Sequence, residues 1–183
     1  MAPLSPPRRD STLPVMIDTA VVRRVAGRAA LVALRASLLV SPRPMVWAIR
    51  REFRRGGVAQ AQALRDAAPS DVTTIVDEPY DAHRAARLDV YTPAAVDAGA
   101  RLPTVVWVHG GGFIGGGKDE IGGYLAMLAA GGVTVVGVDY TLAPEAHLPT
   151  PARQVVRALQ HLEANADRLH VDPSAFVLAG DSA

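Results

Sequence analysis

A chain of 183 residues, 49% apolar and 20% charged, is long enough for one domain with a sizeable core and too short for two comfortable ones. The absence of cysteine excludes a disulfide framework, a thiolate metal site and a cysteine nucleophile. Net charge is +1, yet residues 1–60 carry eleven arginines against three acids, and the rest carry eight basic against fifteen acidic side chains. Such asymmetry fits a nucleic-acid or membrane contact, and equally a basic segment folded onto an acidic body. The second is the expectation, with no nucleic-acid partner.

Residues 1–15 contain four prolines and no apolar run, which predicts a mobile terminus. No uncharged apolar stretch follows Arg8-Arg9, so no signal peptide is expected. Residues 17–40 are helical by period, with Arg24, Arg28 and Arg35 forming one basic stripe beside an apolar face. The arginines interrupt the apolar run well short of the ~20 residues that a membrane span needs. Pro42 and Pro44 break this helix, and a second basic helix over 45–55 is expected to end at Gly56-Gly57. Residues 16–60 thus read as a helical cover over a body formed by 61–183. A cytoplasmic location is expected, with peripheral contact of the basic helices with anionic lipid as the alternative.

From residue 71 strands alternate with helices. Short strands are predicted at 72–76 and 88–91, around a turn at Tyr80-Asp81-Ala82-His83. The run Val105-Val106-Trp107-Val108 reads as a strand buried on both faces of a parallel sheet. A helix over 121–130 and a buried strand over 133–138 follow. Another helix, over 151–164, has Thr150 placed to cap it and Pro151 at its first position. Val155, Leu159 and Leu162 would form its core face, and Arg153, Arg157 and His161 its outer face. Ala175 to Ala179 reads as a final buried strand. The alternation predicts a mostly parallel sheet flanked by helices, with right-handed crossovers.

Six glycines occupy the eight positions 110–117, directly after a predicted strand. Gly110-x-Gly112-x-x-Gly115, with Asp139 closing the next strand, fits a dinucleotide-binding fingerprint. Gly116-Gly117, however, prolong the loop past the point where a helix should open. Gly112-x-x-x-x-Gly117-Lys118 resembles a phosphate-binding loop, but Asp119 stands where the magnesium-binding hydroxyl belongs. The third reading uses the glycines for bare backbone that comes close to a reacting carbonyl and stabilises an oxyanion. Gly180-Asp181-Ser182-Ala183, at the end of another strand, supplies four-fifths of the nucleophile-elbow pattern that such a loop serves. Loop and elbow support one another, as neither rival can claim.

With these motifs in view, the chain resembles the hormone-sensitive-lipase-like esterases of the α/β-hydrolase fold, often called bacterial family IV. The resemblance rests on Val108-His109-Gly110-Gly111-Gly112-Phe113, Asp139-Tyr140-Thr141-Leu142-Ala143-Pro144-Glu145, the 149–162 helix and Gly180-Asp181-Ser182-Ala183, and covers roughly residues 72–183. It implies an α/β-hydrolase fold with an N-terminal helical cap that shapes the acyl pocket. It implies Ser182 as nucleophile, the amides of Gly111, Gly112 and Ala183 as oxyanion hole, and His109 as a loop-orienting residue rather than the general base. A small apolar ester would be hydrolysed through an acyl-enzyme, without metal or cofactor. Thr141 replaces the arginine common at its place, which is expected to alter a local salt bridge and not the chemistry.

In this fold the histidine base and its acid follow the serine, and only Ala183 follows Ser182. The five histidines precede it, and His147, His161 and His170 read as surface residues. The 183-residue polypeptide is therefore expected to be truncated after the elbow and nearly inert, with an unpaired sheet edge and a carboxylate beside the oxyanion site. The alternatives are a non-catalytic hydrolase-fold protein binding a small apolar ligand and, less favoured, an NAD(P)-binding domain.

Overall fold

The computed structural model describes residues 27–33, 35, 36 and 40–182. The expectations for residues 1–15, Arg24 and Ala183 lie outside these residues. The chain divides into two compact units, 1–41 and 42–183. In the first, residues 27–33, 35 and 36 are helical, within the helix predicted for 17–40. No described helix is long and apolar enough to cross a membrane.

The second unit opens with α1, Arg43–Asp66, in which Pro44 falls in the first turn, where its missing amide proton costs nothing. The helix does not stop at Gly56-Gly57, as expected, but runs on to Asp66, through the boundary predicted between residues 60 and 61. Two interior glycines cost roughly 1 kcal/mol each relative to alanine. Packing against α2, Lys118–Ala129, overrides that cost. A Cβ on Gly123 of α2 would lie 2.1 Å from the Leu64 carbonyl oxygen, and one on Gly57 of α1 3.4 Å from the Glu120 carboxylate. The two helices approach closely because glycines line their contact.

Five strands follow: β1 (Val72–Pro79), β2 (Arg87–Pro93), β3 (Leu102–Val108), β4 (Thr134–Asp139) and β5 (Val171–Gly180). They form one mixed sheet in the order β1-β2-β4-β3-β5. β4, β3 and β5 run parallel, while β2 is antiparallel to both β1 and β4. Helix α3, Thr150–Ala164, packs on one face of the sheet and α2 on the other. Leu88, Val106, Val136, Val138, Ala158 and Leu162 form the core under α3, and Tyr91, Leu125, Ala129 and Val135 the core under α2.

Several local expectations are corrected. Thr150 does not cap α3 but is its first residue, and Pro149 precedes it without a side-chain cap. The buried stripe of α3 is Pro151, Gln154, Ala158 and Leu162, with Val155 and Leu159 half-buried beside it. In β3, Val106 is fully buried but Val105 and Trp107 only partly. β5 is not a buried strand: Val177 and Leu178 are 56% and 61% exposed, because among the described residues it pairs with β3 alone. His161 and His170 are not free surface residues. The His161 Nε2 lies 3.0 Å from Glu78 Oε1, and the His170 Nδ1 lies 2.8 Å from the Ala100 carbonyl.

Candidate active site

The parallel pairing of β3 with β5 sets Val108 opposite Gly180, so the glycine loop and the Gly180-Asp181-Ser182 turn leave neighbouring strand ends on the same side of the sheet. One carboxylate ties them together. Asp181 Oδ1 accepts from the Trp107 indole at 2.9 Å and from the Gly110 amide at 3.2 Å. A Cβ at position 110 would lie 1.8 Å from the Asp181 carbonyl oxygen, so only glycine lets loop and turn meet.

Ser182 has φ of +61°, the left-handed region that a side chain enters only when a tight turn forces it. Ser182 lines a cavity of about 550 Å³ with Phe113, Tyr140, Leu148 and Val155. A second cavity, of about 670 Å³, is bounded by Phe53 and Gly57 of α1, by Glu120, and by His109, Gly110 and Gly111. Both hollows are largely apolar, and each takes part of the loop into its lining. Burial holds the Glu120 carboxyl above its ordinary range.

The loop is tightly folded. Gly111 and Gly112 take φ of +113° and +61°, and Phe113 follows at +59°. The Gly111 carbonyl accepts from the amides of Ile114 and Gly115, at 3.1 and 3.0 Å. Among the described residues, none accepts a hydrogen bond from the amide of Gly111 or Gly112.

His109 is buried, with one ring nitrogen hydrogen-bonded. Its Nδ1 lies 2.8 Å from the Gly110 carbonyl, which can only accept, so this nitrogen carries the proton. Nε2 sits 3.5 Å from Asp139 Oδ1. The ring stacks on Tyr140 at 4.5 Å, and the Tyr140 hydroxyl donates to the His109 carbonyl at 2.9 Å. Burial is the main cause holding the Asp139 carboxyl above its usual range, against hydrogen bonding from the Lys118 amide and the nearby positive charge of Lys118.

The same Asp139 Oδ1 accepts the Lys118 amide at 2.7 Å, at the first residue of α2. A carboxylate therefore occupies the helix N-terminus to which a dinucleotide would bring its pyrophosphate. Lys118 is no phosphate ligand either. Its side chain is 3% exposed, and its amine lies 2.9, 3.0 and 3.1 Å from Asp77, Asp89 and Asp119.

Thr141 stands in a neutral network. Its amide donates to Gln154 Oε1 at 2.8 Å, and its hydroxyl accepts from Gln154 Nε2 at 3.0 Å. His83 Nδ1 accepts the Ala85 amide, so the Thr141 hydroxyl donates to it at 3.0 Å. The guanidinium paired with Glu145 comes instead from Arg50 of α1, at 2.7 Å. Sequence reasoning missed Arg50, whose partners lie 64 and more residues away. It also missed Asp181 as the link between loop and turn. Asp139 and Tyr140 were legible only as part of a motif, without their roles beside His109.

This sheet and loop define the α/β hydrolases, and a family profile described as "alpha/beta hydrolase fold" matches residues 105–183. Within that class, solved structures that this chain resembles include several esterases. An esterase of Pyrobaculum calidifontis is 32% identical with a TM-score of 0.61, over 74% of this chain and 43% of its own. A thermostable carboxylesterase from a metagenomic library is 32% identical with a TM-score of 0.58, over 72% of this chain and 45% of its own. Esterase B of Lactobacillus rhamnosis, in a structure inhibited by a tributyrin phosphonate, is 26% identical with a TM-score of 0.64, over 75% of this chain and 46% of its own. The chain thus spans less than half the length of each of these esterases.

Proposed function

We propose that the chain carries the nucleophile and the oxyanion-binding loop of a serine carboxylic-ester hydrolase. The observation that carries this reading is Ser182, held at φ of +61° on the strand end beside a glycine loop whose Gly111 and Gly112 amides have no acceptor among the described residues. The Ser182 Oγ attacks the ester carbonyl while its proton passes to a general base. The carbonyl oxygen takes the negative charge and is met by the amides of Gly111, Gly112 and Ala183. Collapse expels the alcohol, which takes up a proton, and leaves an acyl-enzyme that water then hydrolyses. His109 orients the loop, because its Nδ1 is bonded to the Gly110 carbonyl and its ring is stacked on Tyr140. The substrate is a small apolar ester, in keeping with the apolar linings of the two hollows and with the tributyrin phosphonate of the Lactobacillus esterase.

The test has two arms. The product of the intact gene should hydrolyse a short-chain nitrophenyl ester and be labelled by a fluorophosphonate, with both signals abolished by Ser182→Ala. A purified polypeptide of residues 1–183 should be nearly inert, because it contains no histidine and acid placed after the serine. Hydrolysis that survives Ser182→Ala in the intact product would refute the serine mechanism. Clear Ser182-dependent turnover by residues 1–183 would refute the need for later triad members.

A further inference from the structure

Resting on that reading, we propose that Arg50 of α1 is a positioning residue for the oxyanion loop, so that α1 takes part in catalysis as well as lining the cavity beside that loop. Its guanidinium makes four hydrogen bonds to two separate segments. Nε donates to the Ile114 carbonyl at 2.8 Å, and Nη2 to the Ala143 carbonyl at 2.7 Å. Nη1 and Nη2 donate to the two Glu145 carboxylate oxygens at 3.1 and 2.7 Å. The two segments are joined directly as well, by the Ala143 amide donating to the Phe113 carbonyl at 2.7 Å.

The ion pair alone would not justify this role. Glu145 is 54% exposed at the side chain, and surface ion pairs contribute little. The carbonyl contacts are different in kind. Ile114 lies two residues after Gly112, and its amide closes the turn onto the Gly111 carbonyl. Arg50 therefore holds the far end of the same turn that aims the Gly111 and Gly112 amides. Through Ala143 and Phe113 it holds that turn from a second direction.

A planar fork with five fixed donors can serve two carbonyls and a carboxylate at once, whereas lysine offers one mobile point charge. Displacement of donors by about 1 Å is enough to cost on the order of 10²-fold in rate. A loosened loop would lose stabilisation of the transition state and retain ground-state binding. The role therefore separates from a purely structural one by its kinetic signature.

The test uses the product of the intact gene, with variants Arg50→Gln and Arg50→Lys, and Arg51→Gln as a control for charge on the same helix. Both Arg50 variants should lose roughly 10- to 100-fold in kcat on a nitrophenyl ester, with KM within about 2-fold and phosphonate labelling slowed in parallel. Arg51→Gln should change none of these. In hydrogen exchange, the amides of Ile114, Gly115 and Ala143 should exchange faster in Arg50→Gln, while β4 amides keep their protection. A kcat loss below 2-fold, or a KM rise at constant kcat, overturns the proposal. So does unchanged exchange of the loop, and if Ser182→Ala still abolishes hydrolysis in that case, the serine reading stands alone. If hydrolysis survives Ser182→Ala, the serine reading falls, and the catalytic role of Arg50 falls with it whatever the exchange shows.

Discussion

Lys118→Met removes the one cation buried among three carboxylates, and the structure says where the cost falls. Lys118 and Asp89 are 3% and 4% exposed at the side chain, whereas Asp77 and Asp119 are 71% and 81% exposed. The two exposed acids regain water when the amine is lost. Asp89 does not. It keeps the Asp77 amide at 2.8 Å and the Tyr91 hydroxyl at 3.4 Å, but no compensating charge. Removing one partner of a buried pair typically costs 3–5 kcal/mol. Because two of the three acids are solvated, the lower end applies, about 3 kcal/mol. With a urea slope of about 2 kcal/mol per molar, the unfolding midpoint should fall by roughly 1.5 M. Tyrosine and tryptophan fluorescence in urea would read the shift. Adding Asp89→Asn removes the stranded charge while retaining an acceptor, and should restore at least half of the loss. A fall of less than about 0.3 M, or a double variant weaker than the single one, would refute the assignment of the cost to an uncompensated Asp89.

Two further outcomes follow from the geometry. Gly110→Ala places a methyl group 1.8 Å from the Asp181 carbonyl oxygen, and backbone cannot rotate away as a side chain would. It should cost about 1–3 kcal/mol as overpacking and abolish fluorophosphonate labelling of Ser182 in the intact gene product. Labelling at the normal rate would show that loop and turn can meet without that contact. In acid, Glu78 is the group to watch. The Arg168 guanidinium, ahead of His161, holds its carboxyl below the usual value against the opposing effect of burial. A depressed folded pKa stabilises above the unfolded value of about 4.3, and that stability is lost as pH falls below it. Glu78→Gln should therefore lower stability at pH 7 and leave it closer to wild type near pH 3. Parallel pH profiles of the two proteins would remove Glu78 from the acid limb.

The two turns of the candidate site were legible because they reside in contiguous motifs. A strand followed by His109-Gly110-Gly111-Gly112, and a strand followed by Gly180-Asp181-Ser182, declare two tight turns through residue types that backbone geometry restricts. The alternation of apolar runs with amphipathic stretches was enough to place β3, α2, β4 and α3 within a few residues. The failures share a cause. Gly56-Gly57 is a stop signal by local propensity, and α1 ignores it because Gly123 brings the α2 backbone against Leu64. Ala175 to Ala179 has the composition of a central strand, yet β5 pairs with β3 alone among the described residues, which is the unpaired edge that was expected, so its side chains lack the burial their composition suggests.

By itself, then, the sequence determined which backbone turns form and which serine one of them carries, since both depend on interactions within about ten residues. Tertiary structure alone decided which partners hold those turns. Asp181 reaches Gly110 across 71 residues, Asp139 reaches the Lys118 amide across 21, and Arg50 reaches Ala143 across 93. Hydrogen bonds of this kind leave no periodicity in the chain. They arise because parallel strands bring their ends together, and because α1 lies close enough to the loop for one guanidinium to span both segments.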